Sequence, residues 1–429
     1  MSLLTRTLLA SCLGFLFSAA DIVLLIFFQQ SIADDLGVPL GQVRAVLGVG
    51  LLGSAVGGLF FAPLGDRLGR VRALSLAVVV YSVATAGLAL APNLLVLALL
   101  RFLSGIGTGG EWSLGFALAA EGSPAHRRGL VGGIVASMFN IGTFLAIVLY
   151  QSGLGWRLAF GLMLLPALLG LWVRRGVPEP ATFLEMKAAR DHGGAGQAIA
   201  TQLRRPPVRA AYSRPHRRTT LLLTLLFGVL NFAFYGFSTV FFQYVQAPST
   251  AGGLGLSPSD ELPFQLTLNV TALIGILVAG ALSDRLGRRA TVGLFAGLGA
   301  LGFAGVFLVV SGSAASTAGV PPGLLPAFAL GCLAFGINGV LGAYLPELFP
   351  THLRSTGPGL SQNLGKGVGG LLGPLLAGRW ADAYGFAVAL GLPSIAFLLV
   401  MLIASRLPVV GGRRLEAVET DGANDCAPD

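Results

Sequence analysis

The sequence predicts an all-α integral membrane protein with twelve transmembrane helices in two pseudo-symmetric six-helix bundles, and three observations carry that prediction. Hydrophobic residues make up 54% of the 429 residues and charged residues only 11%, with a mean hydropathy of +0.79, a composition foreign to soluble domains. The apolar residues fall into twelve runs of about 20, enough to cross a hydrocarbon core of about 30 Å. A charged loop signature recurs in each half of the chain.

The runs cover 7–30, 43–64, 72–92, 94–119, 129–151 and 156–174, then 219–245, 263–283, 290–311, 322–345, 355–378 and 386–405. The first has one early positive charge, like a signal peptide, but it lacks a small-residue cleavage site and Asp21 interrupts it, so it reads as a retained helix. Turn residues part the third and fourth runs at Ala91-Pro92-Asn93, and the Gly/Ser/Pro-rich 311–323 parts the ninth and tenth. Many of the 62 glycines lie inside the runs, where small residues let helices approach in lipid.

The 28 Lys and Arg set the orientation. With the N-terminus inside, fifteen fall in inner loops and tails outside the long linker, three in outer loops and helix ends, two within spans and eight in the linker. Both termini are therefore expected in the cytoplasm of a cell membrane. The pI near 10.1 follows from this clustering between apolar runs and does not indicate a nucleic-acid partner. Cys12 and Cys332 lie in apolar runs and Cys426 in the tail, with no pairing or metal-ligand spacing, so neither a structural disulfide nor a metal is expected.

Prolines and arginines mark 176–218 as a cytoplasmic linker, read as a solvated tether, with contact of its Arg/His-rich end to anionic lipid as the alternative. The expected organisation is an N-terminal bundle (1–175), the linker (176–218), a C-terminal bundle (219–406) and a disordered cytoplasmic tail (407–429). The halves repeat each other. Asp66-Arg67-Leu68-Gly69-Arg70 returns as Asp284-Arg285-Leu286-Gly287-Arg288, displaced by 218 residues, and Glu121…Arg128 returns as Glu347…Arg354, displaced by 226. Two signatures at nearly one offset indicate duplication, the architecture of transporters that rock about a central site.

Four charged side chains fall inside spans: Asp21, Arg101, Glu111 and Lys366. Such groups are costly in lipid and mark wet cavities, ion paths or pairs. Helix 1 rises from the cytoplasm and helix 4 descends, so Asp21 and Arg101 reach similar depths and can pair. A carboxylate there either keeps a cation beside it or takes a proton, and switching between those states carries a proton; the alternative is a static pair fixing the two helices. Glu111, about 280° around the helix from Arg101, either shares that proton or packs against groups such as Ser113. Lys366, within Gly365…Gly369…Gly373, either contacts an anionic substrate or pairs with a bundle carboxylate. Arg101 and Lys366 together favour a negative substrate. Asn231 and Tyr235, one turn apart among the phenylalanines of the seventh run, are candidate contacts to a flat ring, with Asn140 and Asn338 as further polar candidates. Asp66, Arg70, Glu121, Arg128, Asp284, Arg288, Glu347 and Arg354 form two symmetric sets that either close an inner gate or merely anchor topology. Asn269-Val270-Thr271 has a glycosylation pattern but lies within the eighth run.

At these residues the chain resembles the major facilitator superfamily over nearly its whole length. Gly280, Leu282, Asp284, Arg285, Gly287, Arg288 and Arg289 match the family's loop signature; Asp66, Arg67, Gly69 and Arg70 match it in the first half, where Ala62 replaces a glycine. Arg101 with Gly105, Gly107, Gly109, Gly110 and Glu111, then Glu121, Pro124, Arg128 and Gly129, and Pro346-Glu347-Leu348-Phe349-Pro350…Arg354, look like the metabolite and aromatic-acid:proton symporters and their niacin, sialate and organic-ion relatives. Pro178-Glu179 to Phe183-Leu184 is similar to the sugar porters' motif after helix 6, but their glutamine-rich seventh-helix motif is missing, as is the drug antiporters' proline motif in helix 5. The resemblance implies proton coupling at Asp21 and Arg101, contact of Lys366 with a carboxylate, and alternating access. The expected function is proton symport of a small organic acid, with no cofactor beyond the coupled proton, a small-molecule substrate and the bilayer as partners, and a monomeric unit. Alternatives are a sugar or neutral-metabolite porter, a cation or drug exporter, or a transport-dead membrane sensor. No enzyme signature appears.

Overall fold

The computed structural model describes residues 3–192, 207–257, 260–313 and 319–410, and the described secondary structure is entirely helical. The first half holds α1 (Leu3–Leu36), α2 (Leu40–Leu68), α3 (Arg70–Leu88), α4 (Leu94–Glu121), α5 (Arg128–Gln151), α6 (Trp156–Leu162) and α7 (Leu165–Gly176). Two short helices follow, α8 (Ala181–His192) and α9 (Pro207–Ala211). The second half holds α10 (Arg214–Gln246), α11 (Leu262–Leu286), α12 (Arg288–Ser313), α13 (Leu324–Leu333), α14 (Ile337–Glu347), α15 (Thr356–Tyr384) and α16 (Phe386–Ala404).

Two expected spans are broken. The sixth divides into α6 and α7 at Met163-Leu164, because Pro166 has no N–H to donate back to Leu162. The tenth tightens into a 3₁₀ turn at Ala334–Gly336 between α13 and α14, and that turn aims Phe335 inward. Ten helices among the described residues are long and apolar enough to cross a membrane; the broken sixth span and the glycine-rich α15 complete twelve.

Glycine dictates the packing inside each half. A Cβ on Gly53, Gly57 or Gly109 would strike the backbone carbonyl of Phe102, Ile106 or Ser54, so α2 and α4 meet backbone to backbone. In the second half Gly365, Gly369 and Gly373 of α15 do the same against Thr224, Gly228 and Phe232 of α10. Between the halves, α15 packs on α2, while α11 and α14 pack on α5. There Gly133 lies against Gly280 and Gly132 against Gly342. This close approach brings the loop charges of the two halves together at one end of the bundle.

The linker departs from a solvated tether in its described part. Phe183 of α8 is buried, and α10 begins at Arg214, so Arg217 and Arg218 belong to a helix. Residues 193–206 of the linker and 411–429 of the tail lie outside the described residues, as does Cys426.

Candidate functional site

A central cavity lies between the halves and holds about 1060 Å³ of empty space, counted to its mouth. Its wall is aromatic and amide-rich: Phe15, Trp112, Phe116, Phe139 and Asn140 from the first half, and Phe227, Asn231, Phe234, Tyr235, Asn269, Phe335, Asn338, Gln362 and Lys366 from the second. Asn231, Asn269 and Asn338 each donate their amide N–H to a carbonyl of their own helix, at 2.8, 2.9 and 3.0 Å. Their amide oxygens remain available as acceptors. Phe237 and Phe241 from the same aromatic run stack instead with Phe328, in the interior of the second half.

Lys366 is the only charged group on that wall among the described residues. It is 6% exposed, and its Nζ rests 4.4 Å from the centroid of the Trp112 ring. Among the described residues no carboxylate oxygen lies within ion-pair distance of it. A ring quadrupole satisfies an ammonium only partly, so the site presents a cation that an anion can claim. Trp112 Nε1 and Gln362 Oε1, also on this wall, are buried without hydrogen-bond partners among the described residues.

The other three intramembrane charges lie behind the wall, inside the first half. Arg101 Nη1 donates to Asp21 Oδ1 at 2.8 Å, and the Thr85 hydroxyl donates to the same oxygen at 2.8 Å. Gly50 makes room for the arginine side chain, since a Cβ there would come within 2.9 Å of Nε. Arg101 does not line the cavity, which corrects its expected role as a direct substrate contact: its guanidinium is engaged by Asp21. Glu111 accepts from Ser18 at 2.9 Å, not from Ser113, whose hydroxyl donates to the Gly110 carbonyl. Both carboxyls keep one oxygen without a partner, Asp21 Oδ2 and Glu111 Oε1.

At one end of the bundle the eight loop charges form two equivalent clusters, and each cluster crosses between halves. Glu121 accepts from Arg70 at 3.3 Å and from Arg354, of the opposite half, at 3.1 Å. Glu347 accepts from Arg288 at 3.0 Å and from Arg128, again of the opposite half, at 3.1 Å. The aspartates cap helices across the divide. Asp66 accepts from the backbone of Ser355 and Thr356 and from the Thr356 hydroxyl at the start of α15, while Asp284 accepts from Gly129 and Leu130 at the start of α5. A carboxylate at a helix N-terminus satisfies orphan N–H groups and the positive end of the helix dipole. These bonds join the halves only while these ends are together, so the structure is closed on that side. The linker reinforces the closure: Glu179 caps α3 through Val71 and Arg72 at 3.2 and 3.1 Å, and Phe183 lies under Arg70 at 4.7 Å. Deeper in, Asn363 of α15 accepts from Ser54 and donates to the Gly109 carbonyl.

The profile of the Major Facilitator Superfamily matches residues 10–374 of this twelve-helix chain. The chain belongs to the major facilitator superfamily. It is 30% identical over 415 residues to a putative metabolite transport protein of Haemophilus influenzae, covering 96% of this chain and 98% of that one. It is 28% identical to a sialic acid transporter of Escherichia coli, covering 94% of each, and 28% identical to a niacin transporter of Acinetobacter baylyi, covering 95% and 94%. A solved structure of a proton:xylose symporter bound to 6-bromo-6-deoxy-D-glucose superposes with a TM-score of 0.77 at 20% identity, covering 97% and 98%, which shows the shared fold. This superfamily member is a membrane transporter of metabolites and not an enzyme.

Lys366, Asn140, Asn231, Tyr235 and Asn338, named from the sequence as candidate substrate contacts, line the cavity, whereas Trp112, Asn269, Gln362 and most of the aromatic lining carried no such expectation. Asn269 had a signal, a polar residue inside an apolar run, but drew notice only as a glycosylation pattern. Ser18 and Thr85 carried none, because a hydroxyl in a membrane helix ordinarily bonds its own backbone.

Proposed function

We propose that the protein is a proton-coupled symporter of a small organic carboxylate, aromatic or otherwise planar, working by alternating access as a monomer in a cell membrane with both termini cytoplasmic. The observation that carries this reading is Lys366: a buried ammonium on the cavity wall, seated on Trp112 with no carboxylate within ion-pair distance among the described residues. A substrate carboxylate supplies that charge, while the flanking phenylalanines and Tyr235 suit a flat body and the amide oxygens suit its donors. The sialic acid and niacin of the two named relatives are both carboxylates. Asp21 is the proton carrier in this reading, held as a carboxylate by Arg101 and Thr85 and released from Arg101 when it takes a proton. No cofactor beyond the proton is needed.

Glu111 lies within electrostatic reach of Lys366, which links the proton site to the substrate site without Arg101 touching substrate. The cytoplasmic clusters hold the inward path shut until substrate and proton are bound, and they part as the halves rock.

The test is a binding and uptake panel in proteoliposomes: nicotinate, benzoate, N-acetylneuraminate, xylose and an organic cation, with wild type and Lys366→Ala. An acid as preferred substrate, with binding weakened in Lys366→Ala, supports the reading. A preference for xylose or the cation, or an acid affinity indifferent to Lys366, overturns it.

A further inference from the structure

Three asparagines of the cavity wall are committed in the same way. Asn231, Asn269 and Asn338 each donate an amide N–H to a carbonyl of their own helix. A carbonyl can be met only by the NH2 group, so these bonds fix which end of each carboxamide is which. The three oxygens accept no bond among the described residues, and none of them is enclosed as the Gln362 oxygen is. The wall therefore offers a ligand three acceptors whose donor ends are already taken.

Helix packing sets their levels. Gly365 and Gly369 of α15 lie against the Thr224 and Gly228 carbonyls of α10, so the Asn231 carboxamide, held at the Phe227 carbonyl, is level with the turn that carries Lys366. Phe234, one turn further along α10, meets the Phe335 ring at 5.0 Å, and the Phe335 carbonyl is the one that holds Asn338. Asn231 and Asn338 thus flank one aromatic pair on the wall. Asn269 stands apart. A Cβ on Gly275 would strike the Leu333 carbonyl and one on Gly336 the Gly275 carbonyl, a register that sets Asn269 about two turns from Asn338, away from the charge clusters.

We infer that the site takes a carboxylate that also carries hydroxyl or N–H donors away from the carboxylate itself, an inference that rests on the carboxylate reading above. Lys366 takes the charge, the Asn231 and Asn338 oxygens take the donors, and the aromatic pair between them carries the apolar body. An acid without donors strips water from both oxygens and gives nothing back, so it binds less well. Each neutral bond is worth about fivefold in affinity and the two together about 30-fold. Asn140 and the Tyr235 hydroxyl, also on the wall, can donate or accept and do not discriminate. The inference separates the ligands of the two named relatives, since sialic acid carries such donors and the niacin anion carries none.

The experiment is titration calorimetry of the full chain in detergent. The donor-bearing acids are 3,4-dihydroxybenzoate and N-acetylneuraminate, and the donor-free acids are benzoate, nicotinate and 3,4-dimethoxybenzoate. In wild type the better donor-bearing acid binds about 30-fold tighter than any donor-free acid. That margin falls to about fivefold in Asn231→Leu or Asn338→Leu and disappears in the double variant, whereas Lys366→Ala weakens both kinds of acid alike. A donor-free acid that binds wild type as tightly as the donor-bearing ones overturns the inference alone, and that comparison needs no variant to fold. So does a margin that both single variants keep in full at the wild-type thermal midpoint. Absence of binding by all the acids in wild type overturns the carboxylate reading itself, and the inference with it.

Discussion

Replacing Asp66 by alanine removes three bonds that cross between the halves, from the Ser355 and Thr356 backbone at 3.1 and 2.7 Å and from the Thr356 hydroxyl at 2.6 Å. The neighbouring Arg70 pair at 3.4 Å lies within the first half and adds nothing to the closure itself. The freed donors rehydrate when the gate opens, so each bond is worth only its net value, about 1 kcal/mol, and the three together about 3 kcal/mol. Because these bonds exist only with these ends of the halves together, the loss shifts the closed-to-open equilibrium of the proposed alternating-access cycle by about 150-fold. Spin labels at Arg67 and Arg285, both exposed and one in each half, read that shift as a distance distribution, in a Cys426→Ser background because Cys12 and Cys332 are buried. Asp66→Ala moves the population to longer distances. Asp66→Asn, which keeps a capping oxygen but loses the charge on the helix dipole, shifts it by less than about 1 kcal/mol. An unchanged distribution in Asp66→Ala, in protein of normal thermal stability, refutes the gate.

Three further predictions concern the substrate site, the linker and the helix interface. Lys366→Ala weakens acid binding by about 10- to 100-fold, the worth of one charged hydrogen bond, with Lys366→Arg intermediate in a titration of the same acid. Phe183→Ala removes a buried ring from beneath Arg70 and costs about 3–5 kcal/mol, seen as a lowered thermal midpoint in detergent, while Phe183→Leu costs less. Gly109→Ala drives a methyl into the Ser54 carbonyl and parts α2 from α4, so the yield of monodisperse protein on size exclusion falls, whereas Gly297→Ala, with open space around it, leaves that yield unchanged.

How much of this was legible in the sequence depended on whether a residue announced its own energetic problem. Asp21 and Arg101 did, because a charge in an apolar run must find a partner, and each is the other's partner. The duplicated signatures also named the eight loop charges of the two clusters, as either gate or anchoring residues. What the pattern did not reveal was the partner across the divide: Asp66 binds the start of α15, 290 residues away from it at Thr356, and no local rule finds that. Lys366 was recognised as needing an anion, but Trp112 beneath it was not, because choosing which aromatic faces a cavity requires the rotation of α4 against α15. Glu179 and Phe183 were noticed only as the ends of a motif similar to that of the sugar porters, in a stretch whose prolines and arginines read as solvated. Their roles arise only once α8 lies against the gate.

Accumulation under an imposed inward proton gradient tests the central claim most directly, measured for wild type and Asp21→Asn in the same liposomes. Wild type is expected to concentrate an organic acid when the gradient is applied and Asp21→Asn is not, while still exchanging label in counterflow. Uptake indifferent to the gradient in wild type, or an Asp21→Asn protein that concentrates the acid as well as wild type does, contradicts it.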